Sequence, residues 1–298
     1  MLRALLVASV LLSGLPLCAQ FRAFPSNEKM GVDPDRYIGN PFQSLARVSH
    51  EVMLTRSILT AGDPHKPGDP GAVLQYRKDF ATATLLPRNV TPLSRYPDQF
   101  IFFVERGEGR LDNGKEYWDL REGITFLIPP DQPHRLTNLG DTPLEMLMLR
   151  WENPAGVTPR KDILVKDVHV LPIAEKNAHW SYMAKNLFHP SDGLHPNEKI
   201  LIVYMAPMTI GSPHPHPPDW EEVWTKMLPD EPALLMLGSE IRDMPAHTGF
   251  IAPPNGETVH TVFNLSRDKV QSWFYFARYT RPAPDYTEDP AVPSKPLR

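Results

Sequence analysis

The chain has 298 residues, with 31 Lys plus Arg against 35 Asp plus Glu and a formal net charge of −4. That length buries a sizeable core without disulfide staples, and the near-neutral balance excludes a basic nucleic-acid-binding surface. Proline, at 34 residues, is used about twice as often as the ordinary ~5%. Such density interrupts long helices and favours short strands joined by turns, so the expected fold class is all-β.

The first segment has the form of an export signal. Arg3 precedes an apolar run from Ala4 to Leu17, and Ala19 offers a small residue for cleavage before Gln20. Residues 1–19 are therefore expected to be a signal peptide, and the localisation periplasmic or extracellular. Cleavage there removes Cys18, the single cysteine, leaving no thiolate ligand and no disulfide. The mature form is expected to have no membrane span, because no later stretch approaches 18 uninterrupted apolar residues. Residues 20–53 read as an N-terminal arm on the surface.

An internal repeat follows. Gly123-Ile-Thr-Phe-Leu-Ile-Pro-Pro-Asp-Gln-Pro-His134-Arg-Leu-Thr-Asn138 recurs as Gly249-Phe-Ile-Ala-Pro-Pro-Asn-Gly-Glu-Thr-Val-His260-Thr-Val-Phe-Asn264, at an offset of 126. Apolar runs flank both copies: Phe100 to Val104 and Leu144 to Trp151 around the first, Val223 to Leu228 and Gln271 to Ala277 around the second. Short β runs bounded by turns such as Asn113-Gly114 and Asn255-Gly256 fill the remainder. Two β-barrels are expected, over 54–152 and 200–278. Residues 153–199 read as a linker with the first strands of the second barrel, and 279–298 as a proline-rich tail.

The Gly…Pro…His-x-x-x-Asn blocks resemble the second motif of the cupin superfamily. His214-Pro-His216-Pro-Pro-Asp-Trp-Glu221-Glu222-Val-Trp resembles the first, His-x-His followed by Glu. The resemblance covers roughly Leu54 to Ala277 and implies a bicupin: two double-stranded β-helix, or jelly-roll, barrels in tandem. Met208 and Pro229 stand where the family pattern has glycine.

His214 and His216 alternate at period two, so an extended backbone turns both imidazoles to one face. With His260 and a nearby carboxylate they form a set suited to one divalent transition metal, Fe, Mn, Ni, Cu or Zn, with open positions for substrate. Counting forward from His216 selects Glu221 as the fourth ligand; counting back from the turn at Pro229 selects Glu222, which the family pattern Glu-Glu-apolar-aromatic favours. Glu221, if not a ligand, is the nearest general acid/base candidate. Lys226 shares the parity of Glu222 and is a second catalytic candidate, as a partner for an anionic substrate. Arg242 and Arg278 are further candidates for a carboxylate clamp, and Tyr204, Trp220, Trp224, Trp273 and Tyr275 for the pocket wall.

Alignment of the two halves places Pro92 and Ser94 opposite His214 and His216, and Phe100 opposite Glu222. The first barrel then keeps only His134 and Asn138, and is expected to be structural, or a small pocket lined by Tyr96, Phe100 and Phe102. The expected function is a metal-dependent oxidoreductase, a dioxygenase or oxidative decarboxylase, acting on a small oxygenated substrate in the second barrel. The alternatives are a Lewis-acid isomerase or lyase and a non-catalytic small-ligand binding protein. The partner is a small molecule and not nucleic acid, and a homo-oligomer is compatible with the sequence.

Overall fold

The computed structural model describes residues 25–283, so residues 1–19, expected to be a signal peptide, and the tail beyond 283 lie outside the described residues. Short strands carry the fold, and the helical pieces are single turns such as Asn27–Met30. No described helix is long and apolar enough to cross a membrane.

The strands form two pairs of facing sheets. In the first pair the large sheet runs Leu164–Asp167, Ile124–Ile128, Asp98–Arg106, Leu144–Glu152, Asp79–Leu85, Met53–Ala61 and Arg47–Ser49 in spatial order. Its partner sheet runs Arg135–Asn138, Gly109–Asp112, Tyr117–Leu120. In the second pair the order is Ile38–Gly39, Gly249–Ile251, Glu221–Lys226, Gln271–Arg278, Glu198–Met205, Tyr182–Phe188 and Glu175–Ala178. That pair is completed by Thr209–Ile210, His260–Asn264, Ala233–Leu237 and Glu240–Asp243. The large sheets match strand for strand, and both repeated blocks occupy the same place in their barrels. The chain is a duplicated all-β barrel.

The repeated asparagine explains itself structurally. Asn138 Nδ2 donates to the carbonyls of Leu85 and Thr142, and Asn264 Nδ2 to those of Met205, Ala206 and Lys269. In each copy one buried amide closes the turn leading to the next strand. The leading glycines differ in their reasons. Gly123 has φ +83°, whereas a Cβ at Gly249 would meet Thr225 Oγ1 at 2.7 Å.

Within the strand Asp98–Arg106, residues Phe100 to Val104 are an unbroken apolar run because both faces are buried. Phe100, Phe102 and Val104 fill the first barrel, while Ile101 and Phe103 join a core shared with the second. Across that junction Phe80 packs on Phe274 and Phe276 at 5.5 and 5.2 Å between ring centroids. The barrels therefore stand sheet to sheet. A buried ion cluster seals the junction, with Glu198 accepting from Arg77 at 2.9 Å and from Arg278 at 2.7 Å.

Two expectations are corrected at the edges. The arm is not confined to the surface: Asn27, Val32 and Tyr37 are buried, and Ile38–Gly39 pairs with Phe250 and Gly249 in the second barrel's sheet. Within the linker, Leu164–Asp167 pairs with Ile124–Ile128 of the first barrel rather than starting the second. Each barrel thus receives its outermost strand from the segment that precedes or follows the other.

Candidate metal centre

His214 and His260 face each other through a two-bond backbone bridge, His214 N–H to His260 O at 3.3 Å and His260 N–H to His214 O at 3.1 Å. Pro215 extends the chain between the first two histidines, so His214 and His216 project to the same side with ring centroids 4.7 Å apart. Their ligating nitrogens and that of His260 all lie within 4.8 Å of one another. Imidazole nitrogens on one ion at about 2.1 Å are at most about 4.2 Å apart, so a small inward turn of the rings completes the set.

Glu222 is the carboxylate that reaches them. Its Oε2 lies 2.8 Å from His216 Nε2 and its Oε1 3.2 Å from His260 Nε2. Trp224 Nε1–H donates to Oε1 at 2.6 Å and Tyr275 O–H to Oε2 at 3.1 Å, which fixes the plane of the carboxylate. Burial would raise the Glu222 pKa, but the adjacent imidazoles of His216 and His260 outweigh it and hold the carboxyl well below its ordinary range. Burial lowers His260 to about 4, against the pull of Glu222, so its ring is neutral. A neutral imidazole and an ionised carboxylate are the forms that bind metal.

Nε2 of His214 and of His216 are buried, and that of His260 meets Glu222 Oε1 at 3.2 Å. His214 Nδ1–H donates to Ser212 O at 2.8 Å, which leaves the Nε2 lone pair free as a ligand. The set fits one divalent transition-metal ion.

The centre lies in a cavity of about 260 Å³. Trp220, Trp224, Tyr182, Tyr275 and Tyr279 supply aromatic wall, and Lys199 and Arg281 supply positive charge. Tyr182, His179, Lys199, Tyr279 and Arg281 carry no motif and were not singled out by sequence reasoning. Tyr204 and Trp273 do not line this cavity; Tyr204 borders a smaller one between the barrels and Trp273 is core.

The structure separates the remaining candidates from the centre. Glu221 alternates with Glu222 and faces the first barrel, where its Oε2 accepts the backbone N–H groups of Gln75 and Tyr76 at 2.7 and 3.1 Å. Burial raises its pKa despite Arg77 and those two donors. Lys226 is buried, and its Nζ donates to the carbonyls of Met227 and Pro229 at 3.0 and 2.7 Å. Neither residue lines the cavity. Arg242 binds Asp35 and Glu240, and Arg278 binds Glu198. Met208, in the family's glycine place, has φ +51°; the backbone keeps the left-handed form without the residue that suits it.

In the first barrel the bridge equivalent to His214–His260 is Ser94–His134. Ser94 therefore stands opposite His214, not His216, and Tyr96 takes the place of His216. The neighbouring register agrees: Phe103 pairs with Thr125 and Val223 with Ile251, each two residues past its block's glycine. Phe102, rather than Phe100, thus replaces Glu222. The ligand set reads Ser94, Tyr96, Phe102, His134. His50, from outside the repeated blocks, fills the space, its Nε2 3.0 Å from His134 Nε2.

Residues 81–150 match the cupin domain family. The fold is that of two cupin barrels in tandem. The E. coli protein Ylba shares the architecture at 10% identity and a TM-score of 0.58, over 83% of this chain and 92% of that one. The formate complex of Lactobacillus farciminis oxalate decarboxylase is similar at 13% identity and a TM-score of 0.59, over 83% and 87%. AerE from Microcystis aeruginosa is similar at 12% and 0.59, over 82% and 99%. A stretch of 52 residues is 33% identical to an uncharacterised Methanocaldococcus jannaschii protein, covering 17% of this bicupin and 42%, under half, of that protein.

Proposed function

We propose that this bicupin is a metal-dependent oxidoreductase, a dioxygenase or oxidative decarboxylase, whose chemistry takes place in the second barrel on a small carboxylate. His214, His216, His260 and Glu222 would hold the ion, which when bound supplies an electrophilic centre for substrate and O₂. The observation that carries the proposal is the convergence of three imidazoles and one ionised carboxylate on a cavity, where the duplicated barrel offers a filled core.

The chain's own residues point to a class of substrate. A cavity of about 260 Å³ lies just below the usual range of roughly 300–1,000 Å³ for small-molecule sites, so the substrate is compact. Lys199 and Arg281 in the wall favour a carboxylate, and Trp220, Trp224 and the tyrosines supply apolar surface around it. The tyrosine pair Tyr275–Tyr279, 3.0 Å between hydroxyls, reaches Glu222 and can pass a proton towards the cavity. Structural similarity to oxalate decarboxylases supports a carboxylate substrate and a decarboxylating reaction.

The test loads the protein separately with Fe, Mn, Ni, Cu and Zn, then screens small carboxylates for O₂ uptake and CO₂ release. Turnover in one metal form and none in the apoprotein supports the proposal. Tight carboxylate binding without turnover in any form would assign the chain to ligand capture instead.

A further inference from the structure

The duplication extends to a feature outside both motifs. Arg47–Ser49 and Met53–Ala61 form a hairpin with Ser49 opposite Met53, and Glu175–Ala178 and Tyr182–Phe188 form one with Ala178 opposite Tyr182. Each loop has three residues and begins with histidine, His50 or His179. In both, the first two residues have positive φ, 48° and 65° for His50 and Glu51, 46° and 75° for His179 and Trp180. In both, the third residue's N–H bonds the histidine carbonyl, at 2.9 and 3.0 Å. A left-handed backbone on two successive non-glycine residues is costly, yet both barrels retain it. It aims an imidazole into the barrel mouth.

In the first barrel that imidazole reaches the centre. Ser49 Oγ lies 2.8 Å from His50 Nδ1, and His50 Nε2 reaches His134. In the second barrel the His179 ring stacks on His214 at 4.3 Å and 10°. Both rings are anchored on Ser212 by Nδ1, His214 to the carbonyl at 2.8 Å and His179 to the hydroxyl at 3.3 Å. Parallel rings held at the same corner turn their Nε2 corners the same way, away from Ser212. Both residues line the cavity.

We propose that His179 is a substrate-binding residue, its Nε2–H donating a hydrogen bond to the anionic oxygen held beside His214. This rests on the metal-centre reading. With the Ser212 hydroxyl donating to Nδ1, the proton sits on Nε2, the corner that faces the ligand. His179 is not a fifth protein ligand, because its ring lies face to face with His214 rather than converging with it.

The test uses Co(II)-loaded protein titrated with formate, followed through the visible cobalt spectrum, with metal content measured in parallel. His179→Asn keeps a residue that tolerates the left-handed turn but withdraws the ring; His179→Ala is the second variant. Both should keep one cobalt per chain and bind formate at least about tenfold more weakly, the size of one hydrogen bond to a charged group. His50→Ala, at the equivalent loop of the other barrel, should leave formate affinity unchanged. Unaltered formate affinity in both His179 variants overturns the proposal, and so does loss of cobalt from His179→Asn, which would make the ring a ligand. If wild-type protein holds no cobalt at all, the metal-centre reading fails first and the role of His179 falls with it.

Discussion

Two adjacent glutamates with opposite fates show how much one strand position decides. Glu222 faces the imidazoles, and Glu221 caps the Gln75 and Tyr76 amides of the neighbouring barrel. Glu222→Ala should therefore lower metal affinity by more than the roughly 10–100-fold typical of residues that merely support a ligand. Glu221→Ala should keep the metal but cost about 2–3 kcal/mol of stability, because it leaves two backbone donors unpaired at a buried junction. Metal analysis and chemical denaturation of the pair decide it; metal loss from Glu221→Ala would reverse the assignment. Lys226 is the other informative residue. Burial depresses its ammonium to about 8, against the weaker pull of Asp230, Glu231 and Glu105. Between about pH 8 and the unfolded value of 10.5, the unfolded chain holds more protons, so stability rises with pH in that window. Below about 8 the full cost of the buried charge is present. Lys226→Met should abolish that rise relative to wild type; parallel stability–pH curves for the two proteins would contradict the account. Period two assigns Lys226 the parity of Glu222 but says nothing of its burial or its carbonyl partners, since it fixes a face and not a position along the barrel. The sequence left Glu221 and Glu222 open as ligands; on the observed strand Glu222 lies beside His216 and His260, and Glu221 meets the Gln75 and Tyr76 amides.

At the scale of elements, the repeated blocks were legible because each conserved letter meets a separate physical need: a turn, a strand, an imidazole, an amide that clamps a loop. The histidine hairpins were not. Ser-His50-Glu-Val and Ala-His179-Trp-Ser share one residue, and left-handed backbone on histidine carries none of the glycine or asparagine signal that marks such loops. The arm was misjudged for a related reason. Its polar composition reads as surface, while it is anchored by the pairing of Ile38–Gly39, by buried Val32 and Tyr37 and by one buried amide. Asn27 donates Nδ2 to Leu237 O and Glu240 Oε1 and accepts from Ser239 N–H, at 3.0, 3.1 and 3.0 Å. Asn27→Ala should cost about 2 kcal/mol and lower the unfolding temperature without loss of metal. A variant with unchanged calorimetric unfolding would show that the arm contributes no stability to the barrel it lies on.

Across the whole molecule, duplication has kept the framework and divided the chemistry. Both barrels retain the glycine, the histidine and the clamping asparagine, and their large sheets pack together through Phe80, Phe103, Phe274 and Phe276. The first barrel has Tyr96 and Phe102 where the second has His216 and Glu222, and His50 occupies its centre. The all-β tandem architecture followed from the sequence because it rests on repeated patterns. The exchange of outer strands did not, because Ile38–Gly39 and Leu164–Asp167 are short pieces whose partners are far away in the chain. Among the described residues the second barrel is the proposed metal site. Elemental analysis of wild type, His260→Ala and His134→Ala, each confirmed folded by circular dichroism, tests this most directly. The expected result is one transition-metal ion per chain in wild type and in His134→Ala, and almost none in His260→Ala. Metal retained by His260→Ala and lost from His134→Ala would place the working centre in the other barrel.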